Sequence, residues 1–269
     1  MLKKYFVTTL RYLWRQRLFT ILNILGLSIS ISACWVIYRI IDYEFSYERK
    51  IPNKENIYRL ITGFIFDEKE RYNGGVSKPM YQVIREQIGN IDLVVPVFEQ
   101  NVKLVEANKL NSKPLTFEDQ KNIIATDSSY FSMLPYHWLS GNKLTAFKSP
   151  QSVVLTESRA NQYFPGKKPD EIINETITYY SRKDTIKRIV TGIVVPDFDA
   201  PTEFIAKEFF SLPTKSYDLT SWTNTNGSDK LYLQLQPTAN TSKIIKQIDD
   251  ILLQKRKQFQ QLQVSDFKL

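Results

Sequence analysis

Hydrophobic positions run almost unbroken near one end of the chain and alternate with polar ones over the rest. Residues 18–41 read LFTILNILGLSISISACWVIYRII, 24 residues with a single charge, Arg39. At ~1.5 Å per residue this stretch spans the ~30 Å hydrocarbon layer of a bilayer as one helix. Arg39 stands two residues from its end, where a long stem lies along lipid while the head reaches water. Trp35 and Tyr38 sit at the same end, as interfacial aromatics do. Ahead of the span, residues 3–17 read KKYFVTTLRYLWRQR, with Tyr5, Phe6, Leu10, Leu13 and Trp14 at helical intervals among the bases. That is the pattern of a short helix lying in the membrane interface.

Beyond Asp42 the periodicity shortens. A strand is expected over 57–66, with a turn at Asn73-Gly74-Gly75. A helix follows Pro79, with Met80, Val83, Ile84 and Ile88 at helical spacing and Gly89 as its stop. Extended segments are expected over 91–100, 102–104, 115–117 and 123–126, then a short helix over 130–134 capped by Asp127 or Ser128. HWLSGN, residues 137–142, reads as a loop. A strand over 151–155 leads into a helix from Thr156 to Tyr163, stopped by Pro165-Gly166. Strands over 172–180 and 185–195 join through residues 181–184. A turn over 196–201 precedes a strand or edge over 203–212. A strand over 230–235 and a helix over 243–260, with Ile244, Ile245, Ile248, Ile251 and Leu252 on one face, complete the pattern. The fold class expected is α+β: one N-terminal transmembrane helix followed by a mixed α+β extracytoplasmic domain of one or two lobes.

Charge sets direction. The chain carries a net +8, but Lys3, Lys4, Arg11, Arg15, Arg17 and Arg39 hold six of those charges, so everything from Asp42 onward nets only +2. Nucleic-acid binding calls for a concentrated basic stripe beside base-reading side chains, and the one concentrated patch here adjoins the span instead. Five bases precede the span, whereas Asp42, Glu44 and Glu48 outweigh Arg49 and Lys50 after it. The positive-inside bias therefore expects residues 1–17 as a cytoplasmic or interfacial segment, 18–41 as the transmembrane helix and 42–269 as a periplasmic core domain. A cleaved signal peptide fits poorly, because the basic region is long and aromatic and Trp35, Tyr38 and Arg39 fill the cleavage zone. Within the span Gly26, Ser30 and Ala33 recur at steps of four and three, a face of small side chains suited to close helix packing. Before Leu269 there is no second apolar stretch of that length.

Candidate chemistry is sparse. Cys34 is the only cysteine, so no intrachain disulfide or thiolate cluster forms, and it reads as a small apolar residue of the span. His137 is the only histidine; Tyr136 and Trp138 beside it predict packing, not catalysis. There is no HExxH, no GxxxxGK[ST] and no GxSxG. Asp127, Glu157, Asp197, Asp199 and Glu203 are scattered acids with no base to serve, and Trp222, Asn224 and Asn226 suit the turn before the strand over 230–235. No enzyme and no cofactor are expected.

An ordered series of segments carries a family likeness: LRYLWRQRLFTILNILGLSISISA (10–33), FSYERKIPNKENIYRL (45–60), SSYFSMLPYHWLSGN (128–142), SVVLTESRANQYFPG (152–166), TGIVVPDF (191–198) and SWTNTNGSDKLYLQLQP (221–237). Together they resemble the permease subunits of ABC transporters of the macrolide-exporter and lipoprotein-release (MacB/FtsX-like) type, in the long form common in Bacteroidetes. The resemblance implies a non-catalytic permease subunit of the bacterial inner membrane, here its N-terminal helix and periplasmic core domain, serving export or envelope-substrate handling. It further implies a cytoplasmic ABC-type ATPase, a second permease chain in a homodimer, and periplasmic or outer-membrane partners. Family members continue into three further membrane helices, which this sequence lacks. Lys3, Arg11, Arg15 and Arg17 are the candidates for the cytoplasmic interface, facing ATPase or lipid headgroups, and Gly26, Ser30 and Ala33 those for helix packing. The alternative is a single-span periplasmic binding or sensor module.

Overall fold

The computed structural model describes residues 2–46, 50–66, 69–107, 113–182, 184–198, 203–212, 222, 224–258 and 264–268. The chain divides into two units, residues 1–49 and 50–269. The first holds two helices, α1 (Leu2–Arg15) and α2 (Arg17–Ser46). Residues 17–44 of α2 are long and apolar enough to cross a membrane, and none of the most apolar stretch is covered by the chain itself.

The second unit is built on one continuous sheet. Its elements are β1 (Ile57–Phe66), β2 (Lys69–Asn73), α3 (Pro79–Gln87), β3 (Ile91–Glu99), β4 (Leu104–Ala107), β5 (Leu115–Glu118), β6 (Ile123–Thr126), α4 (Tyr130–Met133), β7 (Tyr136–Gly141), β8 (Ser152–Thr156), α5 (Glu157–Tyr163), α6 (Pro169–Ile172), β9 (Thr176–Tyr180), β10 (Thr185–Pro196), β11 (Glu208–Ser211), β12 (Asp229–Leu235), α7 (Thr241–Gln258) and β13 (Val264–Lys268). The strands lie in the order β13-β1-β12-β3-β6-β11-β8-β10-β9-β4-β5, with β2 on β1 and β7 on β10.

Two layers of logic produce this order. β12 runs antiparallel between β1 and β3, and β1 antiparallel between β12 and β13. Thus β1-α3-β3 and β12-α7-β13 are two split β-α-β units forming a β-α-β-β-α-β lobe. Alternate strand residues Leu60, Val94, Leu231, Leu233 and Leu235 face the helices and pack on Met80, Ile84 and Ile88 of α3 and on Ile244, Ile248 and Leu252 of α7. The strand period of two and the helical steps of three and four converge on this core.

Residues 100–228 are inserted between β3 and β12 and carry the sheet onward through Phe98↔Ala125 and Glu99↔Ile124. Here β6, β8 and β11 are buried along their whole length, and parallel pairs appear, β6 with β11 and β8 with β10. Strands covered on both faces lose the polar alternation of a half-exposed sheet. One face packs aromatics around Tyr130, Phe131 and Phe209, and takes in Val95, Val97 and Tyr232 of the first lobe. The other packs Ala160 and Tyr163 of α5 against Val153, Leu155, Tyr179 and Phe210.

Several expectations need correction. Residues 137–141 are not loop but most of β7, paired antiparallel to β10 from His137↔Val195 to Gly141↔Gly192. Gly141 is required there by conformation, not as a loop signal: φ is 81° and an added Cβ would lie 2.4 Å from the Thr191 carbonyl oxygen. The strand expected over 102–104 begins at Leu104, where pairing with β9 starts. Residue 172 ends α6, so the strand expected from 172 begins at Thr176. β11 occupies only Glu208–Ser211 and is central, flanked by β6 and β8, not an edge. The later part of the expected turn over 196–201 and the expected helical residues 259–260 lie outside the described residues.

Candidate functional site

The sequence-selected residues of the first unit stand on its helices. At 3.6 residues per turn Gly26, Ser30 and Ala33 occupy about one sixth of the α2 circumference. No atom lies within 4 Å of a Cβ placed on Gly26, and the Ser30 hydroxyl donates to the Gly26 carbonyl at 2.9 Å, so its polarity is met inside the helix. Arg11 and Arg15, one turn apart on α1, and Arg17 at the start of α2 are exposed. Lys3 belongs to α1, and its side chain lies outside the described residues. Cys34 is exposed on α2.

In the second unit, charged side chains gather at two places. Glu203 crosses the sheet face that α3 and α7 leave open. Its carboxylate accepts from Arg59 of β1 and from the Tyr232 hydroxyl of β12, and Lys230 lies 3.7 Å away. Burial raises the Glu203 pKa, but the Tyr232 hydrogen bond and the charges of Lys230 and Arg59 outweigh it and hold the carboxyl below its ordinary value. Beside this node lies a cleft of about 140 Å³ lined by Val97, Glu99, Ile124, Tyr130, Glu203 and Lys230, among others.

The second place is sealed. Arg159 Nε of α5 lies 3.0 Å from Glu208 Oε1 of β11, with side chains 6% and 0% exposed. The Tyr163 and Tyr179 hydroxyls each donate to that carboxylate at 2.7 Å. Arg159 also donates to the Lys121 carbonyl at 2.7 Å and to Gln162 at 2.9 Å. Burial pushes the Glu208 pKa up against the opposing pull of Arg159, Tyr163 and Tyr179. Arg188 of β10, likewise buried, donates to the carbonyls of Pro150 and Ser152 at 3.1 Å each and stacks 4.1 Å from the Phe210 ring centre. Arg159, Glu208 and Arg188 were not singled out by sequence, because apart from Gln162 the partners named here lie 22 to 49 positions away along the chain. A carboxylate so enclosed is out of reach of substrate, and its role is to bind α5 to the sheet.

His137 does not pack as its neighbours suggest. On β7 the pattern runs half-buried, exposed, half-buried, so Tyr136 and Trp138 turn inward and His137 outward. The scattered acids find separate partners: Asp127 pairs with Arg85 at 3.0 Å and accepts the Ser129 N–H at 2.8 Å, and Asp197 pairs with Lys50 at 3.5 Å. Glu157 opens α5, and Asp199 lies outside the described residues. Asn226 forms the turn before β12, its carbonyl accepting from Asp229 N–H at 2.8 Å, and Trp222 packs against the lobe core. Among the described residues no three His, Cys, Asp or Glu side chains gather as metal ligands.

An apolar helix long enough to cross a membrane is thus followed by a mixed α+β domain built on one sheet. The profile of the MacB-like periplasmic core domain matches residues 20–251, and the chain belongs to that family. It is thus a permease domain of the MacB/FtsX kind. Among solved structures, a domain of a protein described as a permease from Porphyromonas gingivalis is similar at 16% identity, with a TM-score of 0.60, over 82% of this chain and 91% of that one. The periplasmic region of MacB from Actinobacillus actinomycetemcomitans matches at 17% identity and TM-score 0.49, over 82% and 90%. The extracellular domain of the noncanonic ABC-type transporter YknZ from Gram-positive bacteria matches at 10% and 0.47, over 78% and 100%. No curated protein sequence matches the chain.

Proposed function

We propose that the chain is the N-terminal part of an ABC permease of the long form common in Bacteroidetes, coupling a cytoplasmic ATPase to motion of its periplasmic domain during export or envelope-substrate handling. Residues 1–17 lie at the cytoplasmic face, 18–41 cross the inner membrane and 42–269 form the periplasmic core domain. Gly26, Ser30 and Ala33 form the face on which a neighbouring membrane helix packs, in the same chain or in a second permease chain of a homodimer. Lys3, Arg11, Arg15 and Arg17 form the cytoplasmic interface. Periplasmic or outer-membrane proteins meet the outer domain.

The observation that carries this reading is the uncovered state of α2. The most apolar stretch of α2, within residues 17–44, is not buried by the described chain, yet α2 precedes a domain of the MacB-like periplasmic core family. Lipid and other helices supply that cover. ATP hydrolysis by the host's partner ATPase, measured in membranes with and without the chain, tests the coupling. Stimulation that Gly26→Leu abolishes is expected; a rate indifferent to the chain would refute it.

A further inference from the structure

Where the first lobe meets the insertion, the sheet face that α3 and α7 leave open carries two opposite charges beside an apolar wall. Val97 stands opposite Lys230 in the β3-β12 pair and Glu99 opposite Ile124 in the β3-β6 pair, so these side chains share one face. All of them line the cleft beside Glu203, which Ile205 and Ala206 line from the insertion. Glu99 and Lys230 are diagonal cross-strand neighbours, ~7–8 Å apart at the backbone. Lys230 turns to Glu203, 3.7 Å away, a carboxylate that Arg59 and Tyr232 also bind. Glu99 is exposed, and among the described residues no hydrogen bond or ion pair reaches its carboxylate. Asp229 feels the Glu99 charge as repulsion.

We propose that this cleft binds a free α-amino acid with an apolar side chain, its ammonium on Glu99 and its carboxylate on Lys230. A simple anion would meet Glu99 and Glu203, and a simple cation would meet Lys230. A zwitterion carries both charges on one carbon and is attracted at both ends. The apolar side chain lies against Val97, Ile124 and Ile205, the last 51% exposed and gaining most from cover. The cleft volume is about 140 Å³. At ~15 Å³ for each water-sized position it holds on the order of nine heavy atoms, the size of leucine. A few placed charges in an apolar lining are the usual make-up of a small-molecule site. Because β3 and β12 belong to the first lobe and β6 and Ile205 to the insertion, the ligand ties the two together. The site stands whether or not an ATPase partners the chain.

Photo-leucine, which carries a diazirine on the leucine side chain, tests the assignment on the full chain in detergent. After irradiation, mass spectrometry should find the label on peptides holding residues 97–99, 122–130 or 203–206. Leucine should suppress it. Isopentylamine lacks the carboxylate and 4-methylpentanoate lacks the ammonium, so each should need about fivefold more or higher to do the same. Glu99→Gln should cut the labelling about fivefold, and Glu99→Asp should restore part of it. Leucine should also raise the thermal midpoint of the parent but not of Glu99→Gln. Competition by the amine or the carboxylate as strong as by leucine overturns the zwitterion. Label scattered along the chain overturns the cleft, as does labelling that Glu99→Gln leaves unchanged.

Discussion

Arg159 of α5 and Glu208 of β11 meet at 3.0 Å in a site closed to solvent, 49 positions apart in the chain. Each is intelligible only through the other. An isolated buried carboxylate is costly, and the cation with two tyrosine hydroxyls makes this one tolerable. Arg159→Met should therefore lower unfolding stability by about 3–5 kcal/mol. Replacing both partners, Arg159→Met with Glu208→Leu, should recover a large part of that loss. Urea unfolding of the detergent-solubilised protein measures both; a double variant as unstable as the single one would contradict the account.

Glu203 supplies a pH dependence of known sign. Its carboxyl is held below the ordinary 4.5, against burial, by Tyr232, Lys230 and Arg59. The folded chain thus binds this proton more weakly than the unfolded chain does. Its contribution is full above pH 4.5 and is lost as the pH falls below it. Glu203→Gln should lower the thermal midpoint at neutral pH and cease to matter in acid well below 4.5. An equal loss at both would show that the node acts by packing alone.

Gly75 marks where the chain after β2 touches the turn before β12. A Cβ there would lie 1.7 Å from the Asn226 carbonyl oxygen and 3.0 Å from that of Asp229, both backbone atoms. The turn cannot yield without breaking the Val76 N–H bond to the Asp229 carbonyl at 2.8 Å. Gly75→Ala should cost about 1–3 kcal/mol by overpacking. A variant as stable as the parent would mean that the two segments separate freely.

At Gly26 the opposite holds. A Cβ placed there meets nothing within 4 Å among the described residues outside its own helical backbone, so Gly26→Leu should leave the unfolding midpoint of the protein unchanged. If the small face packs on another helix, the same change should shift cross-linked dimer toward monomer in membranes. Unaltered cross-linking would remove Gly26 from the interface.

Legibility followed the range of the forces involved. The strands over 57–66 and 123–126 were readable because turns bound them and their apolar content is local. β7 was not, since Tyr136–Gly141 becomes a strand through β10, some fifty residues on. β11, with the sequence Glu-Phe-Phe-Ser, was readable only as a strand or edge over 203–212, because a strand buried on both faces shows no alternation to fix its bounds or its central place. β2 and α6, short and rich in charge, gave no periodic signal. In the first unit, the helical spacing of Tyr5, Phe6, Leu10, Leu13 and Trp14 was readable, while the bend at Gln16 shows only in the Thr20 hydroxyl's bond to the Leu13 carbonyl.

The central claim is that this chain works with a cytoplasmic ATPase, and mild-detergent affinity purification of the tagged chain from its native host tests it most directly. Mass spectrometry of the eluate should find an ABC-type ATP-binding subunit in stoichiometric amount. Recovery of the chain alone, or with envelope proteins and no ATPase, would contradict the claim and favour a single-span binding or sensor module.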